Sequence, residues 1–225
     1  MASQINPNVV IGTSERGNNV VSFDKVMKIF KSKQVCYKIV SDSISDLCGL
    51  DSNALLENVT LTFNVIFAMF YNMTSNDDRR RRIYRAPNYY HDLDLNKLHD
   101  FVMSATDPSA SLTRTRAAVP VANELLSLLS YEANTVHPFA VEVLKTMEDV
   151  AVLVVVACLH KSKPSVTQLE KLKMVWKEVD LLYRRRNLDP SAWGNLVMLY
   201  SAVTIASNKN AKFVLTIDKF LREAV

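Results

Sequence analysis

Glycine is nearly missing from this chain. Only Gly12, Gly17, Gly49 and Gly194 occur in 225 residues, and two of them fall in the first 17. Sheet-rich and dinucleotide-binding folds spend glycine on tight turns and phosphate loops, so the scarcity points to helices joined by short polar connections. Cysteine is as sparse. Cys36, Cys48 and Cys158 are odd in number and sit among apolar neighbours, so they read as buried, reduced thiols and not as a disulfide framework or zinc site. No Gly-rich loop precedes a Lys-Ser or Lys-Thr pair, and neither His-Glu-x-x-His nor Cys-x-x-Cys occurs. The common nucleotide-hydrolase and metalloenzyme signatures are therefore absent. No serine or cysteine nucleophile with a partner base stands out. Long apolar runs are lacking too. The most hydrophobic stretch, residues 150–159, lies between Glu148-Asp149 and His160-Lys161 and has about half the length a bilayer requires. It reads as a core helix, and no stable membrane insertion is expected. The N-terminus has neither the basic nor the apolar region of a signal peptide. The expectation is a binding protein without catalysis, cofactor or metal.

Apolar residues make up 48% of the chain, enough to bury a sizeable core. The patterning predicts an all-α fold, compact and two-lobed, with an extended N-terminal arm. The arm covers residues 1–18, where Val9, Val10 and Ile11 form a small apolar knot that docks either on a neighbouring subunit or on its own core. The N-terminal lobe covers 19–107 and the C-terminal lobe 108–225, with the break at Thr106-Asp107-Pro108. A short helix with Val26, Met27, Ile29 and Phe30 inward precedes a weaker one from Cys36 to Leu50, stopped by Gly49. Asp51-Ser52 caps a long helix to about Met73 that is apolar nearly all round, as a central helix is. The segment from Thr74 to Asp94 reads as a long exposed loop, or a helix end followed by a loop. Asp94 caps the next helix. Pro120 is expected to kink or split a helix, and Pro138 to open one reaching His160. Ser165 and Gln168 have capping-box spacing, followed by an inward stripe of Val166, Leu169, Leu172, Trp176, Val179 and Leu182. Two final helices are expected, from Trp193 to Ser207 and from Ala211 to Ala224.

The net charge is only +4, from 27 Lys and Arg against 23 Asp and Glu, so anion binding must come from local clusters. The strongest is Arg79, Arg80, Arg81, Arg82 and Arg85, five guanidinium groups in seven residues, with Tyr84, Tyr89 and Tyr90 interleaved or following. Arginine makes bidentate phosphate contacts and tyrosine faces stack unpaired bases, which together suit single-stranded nucleic acid. A nuclear-import signal and a plain solvated loop are the competing explanations. Arg114 and Arg116 begin a helix, where free amides also favour phosphate. Arg184, Arg185 and Arg186, with Lys171, Lys173 and Lys177 upstream, end another, where the helix dipole alone accounts for cations. Separate basic clusters on a nearly neutral chain imply segregated charge, and a basic groove between two lobes is the expected result. His91, Asp92, Asp94 and His99 are the only tight His/Asp group. Capping and surface polarity explain them as well as metal ligation does.

The stretch Asn19-Val20-Val21-Ser22-Phe23-Asp24-Lys25 resembles an Asn-Val-Val-Ser-Phe-Asn-Lys motif of emaravirus nucleoproteins, and is similar to a segment near the N-terminus of tospovirus nucleoproteins. It covers seven residues, with Asp24 in place of asparagine; the Asn-Arg-Leu-Ala and Gly-Tyr-Glu-Phe motifs are absent. The resemblance implies a nucleoprotein of a segmented negative-strand RNA virus, holding single-stranded RNA in a basic cleft between helical lobes. It also implies homo-oligomers joined by terminal arms, a viral polymerase as a further partner, and a place in the host cytoplasm and the virion. The competing function is a non-enzymatic helical scaffold that binds proteins or anionic membrane surfaces.

Overall fold

The computed structural model describes residues 23–74, 82–86, 89–105, 112–162, 164–186 and 189–222. Within them the chain is all-α apart from one hairpin. The order is α1 (Phe23–Cys48), α2 (Ser52–Thr74), β1 (Arg82–Ala86), β2 (Tyr89–Asp92), α3 (Leu95–Met103), α4 (Leu112–Tyr131), a π-helical turn (Glu132–Val136), α5 (His137–Val143), α6 (Met147–Lys161), α7 (Val166–Arg186) and α8 (Ala192–Arg222). The expected arm with Val9, Val10 and Ile11 lies outside the described residues, as do Arg79, Arg80 and Arg81 and the 106–108 connection.

Helix α2 is the axis, as its all-round apolar pattern requires. Asp51 starts it by accepting the Ala54 N–H at 2.9 Å, and Leu55, Val59, Phe63, Ile66 and Met69 are buried along it. It packs against α1, α5, α6, α8 and β1. The span Ser52–Met73 is long and apolar enough to cross a membrane by length and composition, yet those neighbours cover its core-facing sides. The larger core joins Val65, Ile66 and Met69 of α2 to Ile83, Phe101, Leu125, Leu129, Leu153, Leu199 and Phe220, so it draws on both sides of the expected lobe boundary. A smaller cluster lies between α1, α2, α6 and α7, where Tyr37 meets Phe63 edge-on at 5.5 Å.

Local signals that the sequence carries are realised. Asp94 accepts the Asn96 and Lys97 N–H groups at 2.9 and 3.1 Å, a cap of the kind worth about 1 kcal/mol. Gly49 ends α1 at φ 69°, in the left-handed region where a Cβ is strained. Gln168 accepts the Ser165 N–H at 2.8 Å.

Six expectations are corrected. Helix α1 is one helix, not two, because Lys33 in its polar middle turns inward to the Arg85 carbonyl. Pro120 does not split α4; Ala118, Val121, Ala122 and Leu125 around it are buried against α3 and α8, and that packing carries the helix across the missing bond. The helix from Pro138 to His160 is divided at Lys145, where Thr146 and Asp149 form a reciprocal capping box that starts α6 afresh. Helix α8 is continuous through the polar stretch at 207–210, since Ser207 and Asn210 are buried and Ser207 meets Thr62 at 3.2 Å. The inward face of α7 is Leu172, Val175, Trp176 and Tyr183, while Val166 is 87% and Leu182 62% exposed, because α7 touches the body on one narrow side. Cys36 is exposed, unlike Cys48 and Cys158; burial pushes the Cys158 thiol up to about 12 and raises Cys48 as well.

Candidate nucleic-acid interface

The expected loop between Thr74 and Asp94 contains a β-hairpin. Ile83, Tyr84, Tyr89 and Tyr90 are aromatic or β-branched, the residues that suit a half-buried ribbon. Arg82 pairs with Asp92, Ile83 with His91 and Tyr84 with Tyr90; then the register slips and Ala86 pairs with Tyr89. Arg85 is the extra residue, and a bulge re-aims its side chain.

That side chain points into the protein. Arg85 Nη1 lies 3.0 Å from both carboxylate oxygens of Glu132, with a proper hydrogen bond to Oε1 only. Glu132 opens the π-helical turn, in which the His137 N–H bonds back five residues to the Glu132 carbonyl just before Pro138, a residue with no donor. Burial raises the Glu132 carboxyl against the pull of Arg85 and Lys33. Lys33 of α1 donates to the Arg85 carbonyl; burial first and the Arg85 charge second bring its ammonium down to about 8. Asn72 of α2 completes the lock, donating to the Tyr84 carbonyl at 2.8 Å and accepting the Tyr84 N–H at 2.9 Å. The hairpin is thus fastened to three helical elements by buried polar contacts.

Its other side is open. The Arg82 guanidinium lies over the Tyr90 ring, 4.6 Å from the centroid, and Tyr90 tilts against Tyr84 at 5.4 Å. Arg82 Nε is 3.5 Å from Asp92 Oδ1, and the other oxygen of Asp92 accepts from Lys97 of α3 at 2.7 Å. An arginine stacked on a tyrosine, beside a lysine, offers both a charge for phosphate and an aromatic face for a base.

The candidate residues therefore divide. Arg82, Tyr84 and Tyr90 come together. Tyr84 is buried behind Tyr90, and Arg85 is committed to Glu132, so both support the surface without forming it. Of Tyr89 only the backbone position is described. Arg114 lies 6.0 Å over the Phe220 ring, and Arg116 is exposed one turn into α4. Arg184 pairs with Asp180 at 2.5 Å, and Arg186 ties α7 to Thr146 and Glu148 at the start of α6, while Arg185 and Lys177 are exposed. The ion pairs of the α7 cluster run to its own helix and to the start of α6.

No family model, curated protein or solved structure matches this chain.

The His/Asp group is dispersed into separate tasks. His91 is buried edge-on to Phe101 at 4.7 Å, Asp92 serves the two cations, Asp94 caps α3, and His99 meets the Thr115 carbonyl at 3.0 Å. Among the described residues no three His, Cys, Asp or Glu side chains gather to hold a metal. Sequence reasoning missed Lys33, Asn72, Lys97 and Glu132. A signal existed for Glu132, a charge at the helical spacing set by Leu125, Leu128 and Val136 where an apolar residue belongs.

Proposed function

We propose that this chain binds single-stranded RNA through its phosphate backbone and self-assembles, without catalysis, in the manner of a viral nucleoprotein. The observation that carries the reading is Arg82 stacked on Tyr90 at the open side of a hairpin locked to the core. Arg79, Arg80 and Arg81 directly precede that strand in sequence. Phosphate contacts of this kind neutralise charge without reading bases, and tyrosine accepts every base.

Fluorescence anisotropy of labelled single-stranded RNA across a salt series tests it. Arg82→Ala is expected to weaken binding to all sequences alike and to lower the log–log salt slope by roughly 0.7, the loss of one single-strand phosphate contact. Tyr90→Ala is expected to cost about 1–3 kcal/mol with little change of slope. Unchanged affinity and slope in both variants would sink the assignment.

A scaffold reading has one observation in its favour, the apolar side chains of Val166, Met174 and Leu182 left exposed on α7. It predicts self-association with a clean protein absorbance spectrum and no response to added RNA.

A further inference from the structure

Asp92 joins two cations that lie fifteen positions apart in the chain, Arg82 and Lys97. It gives one carboxylate oxygen to each, at 3.5 Å and 2.7 Å. A phosphodiester presents the same feature, two anionic oxygens on one centre, to the same kinds of donor. The carboxylate thus occupies the position where a phosphate would satisfy both cations at once.

The surroundings suit an exchange. The side chains of Arg82 and Lys97 are 40% and 62% exposed, so both are reachable from solvent. Tyr90 lies under the Arg82 guanidinium, 4.6 Å from it. A nucleotide whose phosphate meets Arg82 therefore has its base within reach of that ring. The first amides of α3 are taken by Asp94, which leaves side chains, not the helix end, to meet the ligand.

We propose that Arg82 and Lys97 form one phosphate subsite beside the Tyr90 ring, and that Asp92 is its built-in competitor, displaced when a backbone phosphate of single-stranded RNA binds. This rests on the RNA-binding reading above and adds Lys97 to it. Affinity per nucleotide is then held down by an internal anion, and removing that anion strengthens binding.

The test uses the full chain with Asp92→Asn and Lys97→Ala, which alter a partly exposed and an exposed side chain and leave the Asp94 cap in place. Inorganic tripolyphosphate is titrated while the amide shifts of residues 90–97 are followed by NMR, and a fluorescein-labelled oligouridylate is titrated across a salt series. Asp92→Asn is expected to tighten both ligands by up to roughly fivefold, the scale of one exposed charge contact. Lys97→Ala is expected to weaken both and to lower the oligouridylate slope by roughly 0.7. Oligouridylate binding that is indifferent to both substitutions overturns the subsite and leaves the RNA reading standing. Tripolyphosphate binding with these responses but no oligouridylate binding supports the subsite and removes the RNA reading. Failure of both ligands to bind any of the three chains overturns both.

Discussion

His91 of β2 lays its ring edge-on against Phe101 of α3, and its protonation is a test of how dry that contact is. In the unfolded chain an imidazole takes a proton near 6.5; in the fold, burial and then the Arg85 charge hold His91 down to about 3. Between those values the unfolded chain carries the extra proton. The stability that neutral His91 contributes is therefore complete above about 6.5 and is lost progressively as pH falls towards 3, at a slope of at most about 1.4 kcal/mol per pH unit. Urea midpoints measured from pH 7 to pH 4 are expected to fall in the parent chain and to fall less in His91→Phe. Equal slopes in the two would mean that the imidazole reaches solvent. Asp94, Gly49 and Gln168 were legible in the sequence because the capping role of each is set by groups within a few positions of chain. Lys33, Arg85 and Glu132 were not. Lys33 and Arg85 are 52 positions apart and Arg85 and Glu132 are 47 apart, and no local pattern connects them.

At the scale of elements, the hairpin is the part that sequence reasoning missed, because a ribbon this short is stabilised by what it docks on and not by its own strands. Reading five arginines in seven residues as one solvent-facing charge run hid the fact that the bulge sends Arg85 inward. The same dependence on partners explains α1 and α8, whose polar middles look like breaks until Lys33, Ser207 and Asn210 are seen to be buried. The Arg85–Glu132 pair is the inner end of the hairpin's attachment, and its energetics follow from desolvation. Glu132→Leu alone leaves a guanidinium in a dry site without its counter-charge, a change that costs about 3–5 kcal/mol. Arg85→Met together with Glu132→Leu removes both charges and is expected to recover most of that loss. Chemical denaturation of the two single variants and the double variant closes the cycle. Costs that simply add would show that the two side chains act independently and that the pair does not anchor the hairpin.

For the whole molecule, the composition made an all-α body legible, but not where its core lies. Helix α2 was expected inside an N-terminal lobe, yet its Val65, Ile66 and Met69 pack into the same core as α5, α6 and α8, from the far side of the expected boundary. Removing either half would strip the other of part of that interior, so the described body is expected to unfold as a single cooperative unit. Trp176 and Trp193 report on this from one place, their rings 5.8 Å apart where α7 meets α8, whereas far-ultraviolet dichroism reports on every helix. Urea transitions followed by tryptophan fluorescence and by dichroism are expected to coincide in midpoint and in slope. Two separated transitions would mean two lobes that open independently, and a cleft between them would again be the place to seek RNA. Coincident transitions favour the other geometry, in which RNA tracks along the outside of one rigid body. Under the proposed function, the hairpin face around Arg82, Tyr90 and Lys97 is then the surface to test for RNA contact.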